Sequence, residues 1–355
     1  MNGEGTPAPS EHTPTPAHPS RRRRRRRILA VVVGIPLLAL GVALVRHRLA
    51  VGRADEAWRT RQPITLHDFG TTRRLEILPL VDQFAARGGL ATDVGVSYLV
   101  RTDELTILFD TGNHTDPAVP APLTANMRAL GVTLDEVDAV VISHAHFDHV
   151  GGRQWTEGAL SGTTFGIGDA QPPLGDRLVV TAVPMTYPGS QPEAAPEPRR
   201  LGRGVATTGS IARQLFGGWI DEQALVVHVE GRGLVLIVGC GHQTLARLLE
   251  RTEEVFAQPI HGIVGGLHYP VPEGRIMVAG LVDAQRRLGS GDGPYAPLSS
   301  EDVERELGMI EARDVALVSI GGHDSSDEVI ASARARFGTR YRDLRVGAPI
   351  VVEAP

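Results

Sequence analysis

The sequence predicts an α/β fold preceded by a single membrane-crossing helix, and three observations carry that expectation. Short apolar, β-branched runs recur from residue 74 onward, interleaved with helical spacing such as TLARLLERTEEVFA at 244–257. Residues 28–45 form an uncharged run of 18 residues between two arginine-bearing segments. The chain has 355 residues, 42% of them hydrophobic, enough for one large domain or two ordinary ones and too apolar for global disorder.

Residues 1–27 read as a disordered basic tail. The stretch MNGEGTPAPSEHTPTPAHPS is rich in Pro, Ser and Thr, its His12 and His18 have no ligand pattern, and seven arginines follow at 21–27. As a helix, 28–45 would span about 27 Å, enough for a bilayer core, and a lone Pro36 is tolerated there. Arg46, His47 and Arg48 close the run with no small-x-small cleavage site, so a retained anchor is expected. The heavier positive cluster lies on the N-terminal side, which keeps the N-terminus cytoplasmic and sends the rest of the chain outward. A cleaved signal, of twin-arginine type, and a buried soluble helix are the competing readings. Residues 46–73 read as a linker and 74–355 as one folded domain.

Charge is divided unevenly. Residues 1–53 carry ten arginines against Glu4 and Glu11, a net of +8, leaving −13 on the other 302 residues. An acidic domain is a poor match for a phosphate backbone, so no nucleic-acid partner is expected. A small-molecule substrate and lipid around the N-terminal helix are. The lone Cys240 excludes an internal disulfide.

In chain order, LEILPLV, VGVSYLV and LTILFDTG read as strands, and 138–142 as a strand buried on both faces. ALVVHV at 224–229 and LVLIVGC at 234–240 flank Glu230, Gly231, Arg232 and Gly233 as a hairpin. IHGIVGGLH and VALVSIGGH are strand-to-loop transitions that each end in histidine. Pro-rich 184–198 and 292–298 read as long surface loops suited to lids. No internal repeat and no G-x-S-x-G is present, and Gly202-Arg203-Gly204 is too weak a pattern for a phosphate loop.

The chemistry concentrates in DAVVISHAHFDHVGG at 138–152. Alternate side chains of an extended segment point the same way, so His144 and His146 can reach one ion together. Asp148 and His149 follow the turn and can face a second. Imidazole and carboxylate suit Zn²⁺, with Fe and Mn as alternatives. Two such ions about 3.5–4 Å apart bridge a hydroxide and clamp an anionic transition state.

S-H-A-H-F-D-H-V-G-G resembles the signature of the metallo-β-lactamase superfamily. FDTG at 109–112 looks like the family's D-x-G, which implies that Asp110 orients a metal-binding histidine. The hairpin ending in Val238, Gly239, Cys240, Gly241 and His242 is similar to the family's strand that delivers a metal-bridging acid. G-C-x-H, G-G-L-H at 265–268 and TTGSI at 207–211 together look like the branch that includes a dihydropterin-forming synthase of methanopterin-type cofactor synthesis. The resemblance covers roughly 75–352. It implies a four-layered αββα sandwich with metals at one edge between the sheets.

The departures from that pattern redistribute the ligands. Where many members carry a histidine before the hairpin, this chain has Trp219, Ile220, Asp221 and Glu222, so the third ligand of the first ion is expected from His242, or failing that Asp221. Cys240 stands where most members have an aspartate; a thiolate there could ligate, and the competing reading is a small buried residue at a strand end. Gly322-His323-Asp324-Ser325 replaces H-C-T-G, keeping His323 as the implied ligand of the second ion. His268 is expected to line the pocket. His114 is either a pocket or a loop residue, His228 a core residue, and His47, His67 and His261 are unassigned.

The expected function is therefore a membrane-anchored, metal-dependent hydrolase with a binuclear zinc site, acting on an ester, phosphoester or lactam-like group, with Asp148 also available for proton transfer. A non-hydrolytic synthase on the same fold and a metal-stabilised binding module are the alternatives.

Overall fold

The computed structural model describes residues 21–156 and 161–355. The expected disordered stretch 1–20, with His12 and His18, lies outside the described residues. The chain divides after Leu49 into two compact units.

Helix α1 (Arg21–Thr60) contains Pro36 and forms the described part of the first unit up to Leu49. Within Ala30–Thr60 an 18-residue stretch has a mean hydropathy of 2.0 and is only 6% buried, so the helix is long and apolar enough to cross a membrane. The arginine run at 21–27, assigned above to the tail, is helical. The linker expected over 46–73 is also largely ordered, and the reason is packing remote in sequence. Trp58 and Arg61, both in the second unit, meet the helix that follows the hairpin: Arg61 Nη2 lies 2.8 Å from Glu250 Oε1 and Arg61 Nε donates to Glu254 Oε2 at 3.0 Å. The guanidinium of Arg61 sits 3.6 Å from the Trp58 ring centre. Phe69 is fully buried, 5.3 Å from Phe256 between ring centres.

In the second unit, β1 (Arg74–Val81), β2 (Ser97–Arg101), β3 (Thr106–Phe109), β4 (Ala139–Ile142), β5 (Leu178–Thr181) and β6 (Glu193–Ala194) form one sheet with the last strand, β17 (Ile350–Glu353), on the far side of β1. Pairing is antiparallel from β17 to β3 and parallel from β3 to β6. The second sheet holds β7 (Arg199–Gly202), β8 (Val205–Thr207), β11 (Leu225–Val229), β12 (Gly233–Val238), β13 (Ile260–Gly265) and β16 (Leu317–Ile320), in the order β16-β13-β12-β11-β8-β7. Two ribbons stand apart: β9 (Ile211–Leu215) with β10 (Gly218–Glu222), and β14 (Met277–Val278) with β15 (Val282–Asp283).

Strand alternation sorts side chains into three cores and thereby builds four layers. Ile77, Ala139, Val141, Val235 and Ile237 meet between the sheets. Their neighbours Leu78, Val140 and Ile142 face outward beneath helix α2 (Pro122–Leu130). Leu234, Leu236 and Val238 face α3 (Leu245–Val255), α5 (Ser300–Ala312) and α6 (Asp327–Phe337) on the other side. This is the αββα sandwich that the resemblance implied. The 224–240 hairpin pairs as β11 with β12, and the 244–257 helix is α3, capped by Thr244. The 184–198 segment is more than a loop: it contains β6, and Tyr187 is buried with its hydroxyl donating to Pro172 O at 2.7 Å.

The C-terminal ends of β4 and β12 arrive at the same edge. Gln223, just before β11, donates its backbone N–H to Ser143 O and its side-chain amide to Ile142 O, each at 2.9 Å. At Gly239 an added Cβ would stand 2.1 Å from Ser143 Oγ, so only glycine lets the two strand ends approach this closely.

Candidate metal centre

β4 is the central parallel strand of its half-sheet and runs out at Ile142; the chain then hooks back, with His149 N donating to His146 O at 3.0 Å and Gly152 N to Phe147 O at 2.8 Å. The hook is held by Asp110, at the end of β3 in a left-handed conformation with φ 58°. Ser143 N donates to Asp110 Oδ1 at 2.6 Å, and Ser143 Oγ and His149 Nδ1 reach Oδ2 at 2.6 and 2.7 Å. His144 Nδ1 lies 2.9 Å from that same Ser143 Oγ. One carboxylate thus fixes two rings through their Nδ1 atoms and leaves both Nε2 atoms facing inward.

The facing wall comes from the second sheet. Cys240 and His242 follow β12, and their loop is pinned by Glu222 at the end of β10. Its carboxylate accepts the backbone N–H groups of Cys240 and Gly241 at 2.8 Å and of His242 at 2.7 Å. Burial pushes Glu222 up to about 7 against the pull of these three donors. His268 follows β13 and His323 follows β16. Asp324 Oδ2 accepts His268 N at 2.8 Å, and Cys240 Sγ lies 3.3 Å from His268 Nδ1.

The rings converge. Their centres lie 4.8 Å apart for His144–His146, 4.9 Å for His146–His242, 4.0 Å for His144–His149 and 5.4 Å for His149–His323. Among the described residues, four sets bring one donor atom each within 4.8 Å of one another: His144, His146 and His242; His144, His149 and Cys240; Cys240, His242 and His268; and Cys240, His323 and Asp324.

The donor chemistry fits a metal. His144 Nε2, His149 Nε2, His242 Nδ1 and both ring nitrogens of His323 are buried without a hydrogen-bond partner. Each such group costs about 1–3 kcal/mol unless something satisfies it. Burial holds His146 down at about 3, and His144, His242 and His323 well below the ordinary imidazole value, so these rings present lone pairs rather than charge. Burial also works against a charge on His149, but the Asp110 and Asp148 carboxylates outweigh it and push it up to about 9. The Cys240 thiol is pushed well up by burial.

Of the residues singled out by sequence, His144, His146, His149, Cys240, His242, His268 and His323 come together, and Asp110 stands behind them. Asp148 is buried beside them, its Oδ2 3.9 Å from His149 Nε2, outside the four convergent sets. Asp221 is not brought in. Alternation along β10 buries Ile220 and Glu222 and turns Asp221 the other way, where its carboxylate accepts Trp219 Nε1 at 2.8 Å. His114 pairs with Asp169 at 2.9 Å, and His228 Nδ1 lies 3.0 Å from Gly70 O beneath Phe69. Sequence reasoning missed Glu222 and Asp324. Period-two spacing from Ile220 was the available signal for Glu222; for Asp324 it was adjacency to His323. A cleft of about 520 Å³ opens beside the hook, lined by Asn113, His114, Phe147, Arg153, Ile276 and Met277 among others.

The family model described as the Metallo-beta-lactamase superfamily matches residues 91–323. The 7,8-dihydropterin-6-methyl-4-(beta-D-ribofuranosyl)-aminobenzene-5'-phosphate synthase of Methanocaldococcus jannaschii is 21% identical over 270 residues, covering 63% of this chain and 87% of that protein. The transcription termination factor FttA of Cenarchaeum symbiosum is 38% identical over 66 residues, 19% of this chain and 10% of that protein. The crystal structure of Tm1679, a metal-dependent hydrolase of the beta-lactamase superfamily, shares the fold with a TM-score of 0.52 at 20% identity, covering 79% of this chain and 99% of that one. With that family match, a two-sheet sandwich and a histidine-rich edge between the sheets, the chain belongs to the metallo-beta-lactamase superfamily.

Proposed function

We propose that this chain is a metal-dependent hydrolase with two ions, zinc in the first instance, at the histidine cluster. The observation that carries the reading is the set of buried imidazole nitrogens that face one another with no partner. One ion would rest on His144, His146 and His242. The other would rest on His149, His323 and Asp148, with Cys240 between them. Bound there, the metal supplies Lewis acidity, which makes water nucleophilic near neutral pH and stabilises an oxyanion.

The chain's own residues do the rest. Asp110 and Ser143 set the rings of His144 and His149, and Glu222 sets the backbone that carries Cys240 and His242. Asp148, buried at the cluster, would take the proton that the attacking water loses and hand it to the leaving oxygen as the scissile bond breaks. The substrate is a small molecule with an ester, phosphoester or lactam-like group, for which the cleft of about 520 Å³ has room. The N-terminal helix serves as a single-pass anchor, with the N-terminus cytoplasmic and the catalytic unit outside.

The test is turnover of 4-nitrophenyl esters and bis(4-nitrophenyl) phosphate by the zinc-loaded full chain in detergent. Activity that a chelator removes, zinc restores, and His146→Ala lowers by two or more orders of magnitude supports the reading. Zinc bound with no turnover of any ester or phosphoester would leave a binding module in its place. The relation to a protein named as a synthase favours one other reading, a non-hydrolytic condensation on the same fold. A fusion reporter that places the C-terminus in the cytoplasm would favour it over the outward-facing hydrolase.

A further inference from the structure

Within residues 50–355, the β14–β15 ribbon exposes a cluster of large apolar side chains. Its sequence, IMVAGLV at 276–282, has no charge, and Met277, Val278, Leu281 and Val282 are all exposed, Leu281 at 85%. Ala279 and Gly280 turn it with φ values of 51° and 66°, the doubly left-handed geometry of a tight hairpin. Such a short ribbon has no sheet to pack against, and exposed apolar clusters of this kind mark contact sites.

The base of the ribbon is firmly held. Gly274 N donates to Asp283 Oδ2 at 2.7 Å, Ala284 N to Ile276 O at 3.0 Å and Arg275 N to Gln285 Oε1 at 2.7 Å. Gln285 Nε2 in turn donates to His323 O at 3.2 Å. Ile276 and Met277 also wall the cleft beside Phe147. The strand that ends in the exposed tip therefore begins in the cleft wall. At the base, α4 (Ala284–Gly289) adds Arg286 and Arg287. The same chain carries a helix with an 18-residue stretch of mean hydropathy 2.0, so a lipid surface is the apolar phase at hand.

We propose that the 276–282 ribbon inserts into the hydrocarbon edge of a bilayer, and that the cleft takes an amphiphilic ester or phosphoester drawn from it. The polar head of such a substrate reaches the histidine cluster while its apolar chain lies along Met277 and Ile276. The substrate half of this inference rests on the hydrolase reading; the insertion does not.

The experiment uses the full chain reconstituted in vesicles of phosphatidylcholine and phosphatidylglycerol, with an environment-sensitive fluorophore on Leu281→Cys. The native Cys240 is buried at 2% exposure and is not labelled in the folded protein. Glu301→Cys, exposed on α5, is the control. The label at 281 is expected to shift to the blue and to be quenched by chain-nitroxide lipids several-fold more than the label at 301. Equal quenching at the two positions overturns the insertion. A blue shift without lipid quenching also overturns it, because a protein partner would then cover the ribbon. For the substrate, long-chain esters embedded in the vesicles are expected to be cleaved with at least tenfold higher kcat/KM than short-chain soluble ones, and Leu281→Asp to erase that preference. Quenching with no preference overturns the amphiphile. Quenching with no turnover of any ester overturns the hydrolase reading and leaves insertion standing.

Discussion

Asp110 shows how one side chain sets the rings of a candidate metal centre from behind. Its two oxygens accept from Ser143 N, Ser143 Oγ and His149 Nδ1, so an amide in its place would turn an NH₂ toward at least one of these donors. Asp110→Asn is therefore expected to lower zinc affinity by roughly 10–100-fold, measured by competition with a chromophoric chelator; unchanged affinity would mean the rings hold their own orientation. Asp82 acts on the other side of the cluster, where Oδ1 accepts Gly322 N at 2.9 Å next to His323. Burial pushes its carboxyl up from 3.8 to about 6. The folded chain thus keeps a proton that the unfolded chain has lost, so this stabilisation is full below about pH 4 and is lost as pH rises through about 6. The loss is on the order of 3 kcal/mol. Denaturant unfolding from pH 4 to 7 should show that slope in the wild type and a flatter one in Asp82→Asn; parallel curves would remove Asp82 from the account. Local spacing made His144, His146, Asp148 and His149 legible in the sequence, because one strand end and one turn place all four. Glu222 was not legible as a clamp: its role depends on β10 bringing it beneath a backbone loop that starts 18 residues later.

At the scale of elements, the site is a joint between two strand ends. Gly239, after β12, faces Ser143, after β4, and a methyl group there would stand 2.7 Å from Ser143 Cβ and 3.0 Å from Asp110 Oδ2. Gly239→Ala should cost about 1–3 kcal/mol of stability by overpacking and should lower zinc content as well, read by thermal unfolding and metal analysis of the same sample. A stable variant with full zinc would show that the strand ends have slack. The hairpin of β11 with β12 and the helix α3 could be read from sequence because turn residues mark the one and apolar periodicity the other. The stretch after residue 46 could not. Its helicity and the burial of Phe69 are settled by Glu250, Glu254 and Phe256, almost two hundred residues away.

For the whole molecule, the αββα layering follows from strands whose two faces feed different cores; the apolar runs announce the strands, and only the resemblance implied how they stack. The N-terminal helix is the second whole-chain feature. If it anchors the protein, the full chain should stay with membranes through alkaline carbonate extraction; release into the supernatant would argue for a cleaved signal. The proposed chemistry depends on the histidine cluster holding two ions, which elemental mass spectrometry of the purified full chain in detergent measures. Two zinc ions per chain, falling to about one in His323→Ala, is the predicted result. One ion or none in the wild type would contradict a binuclear centre.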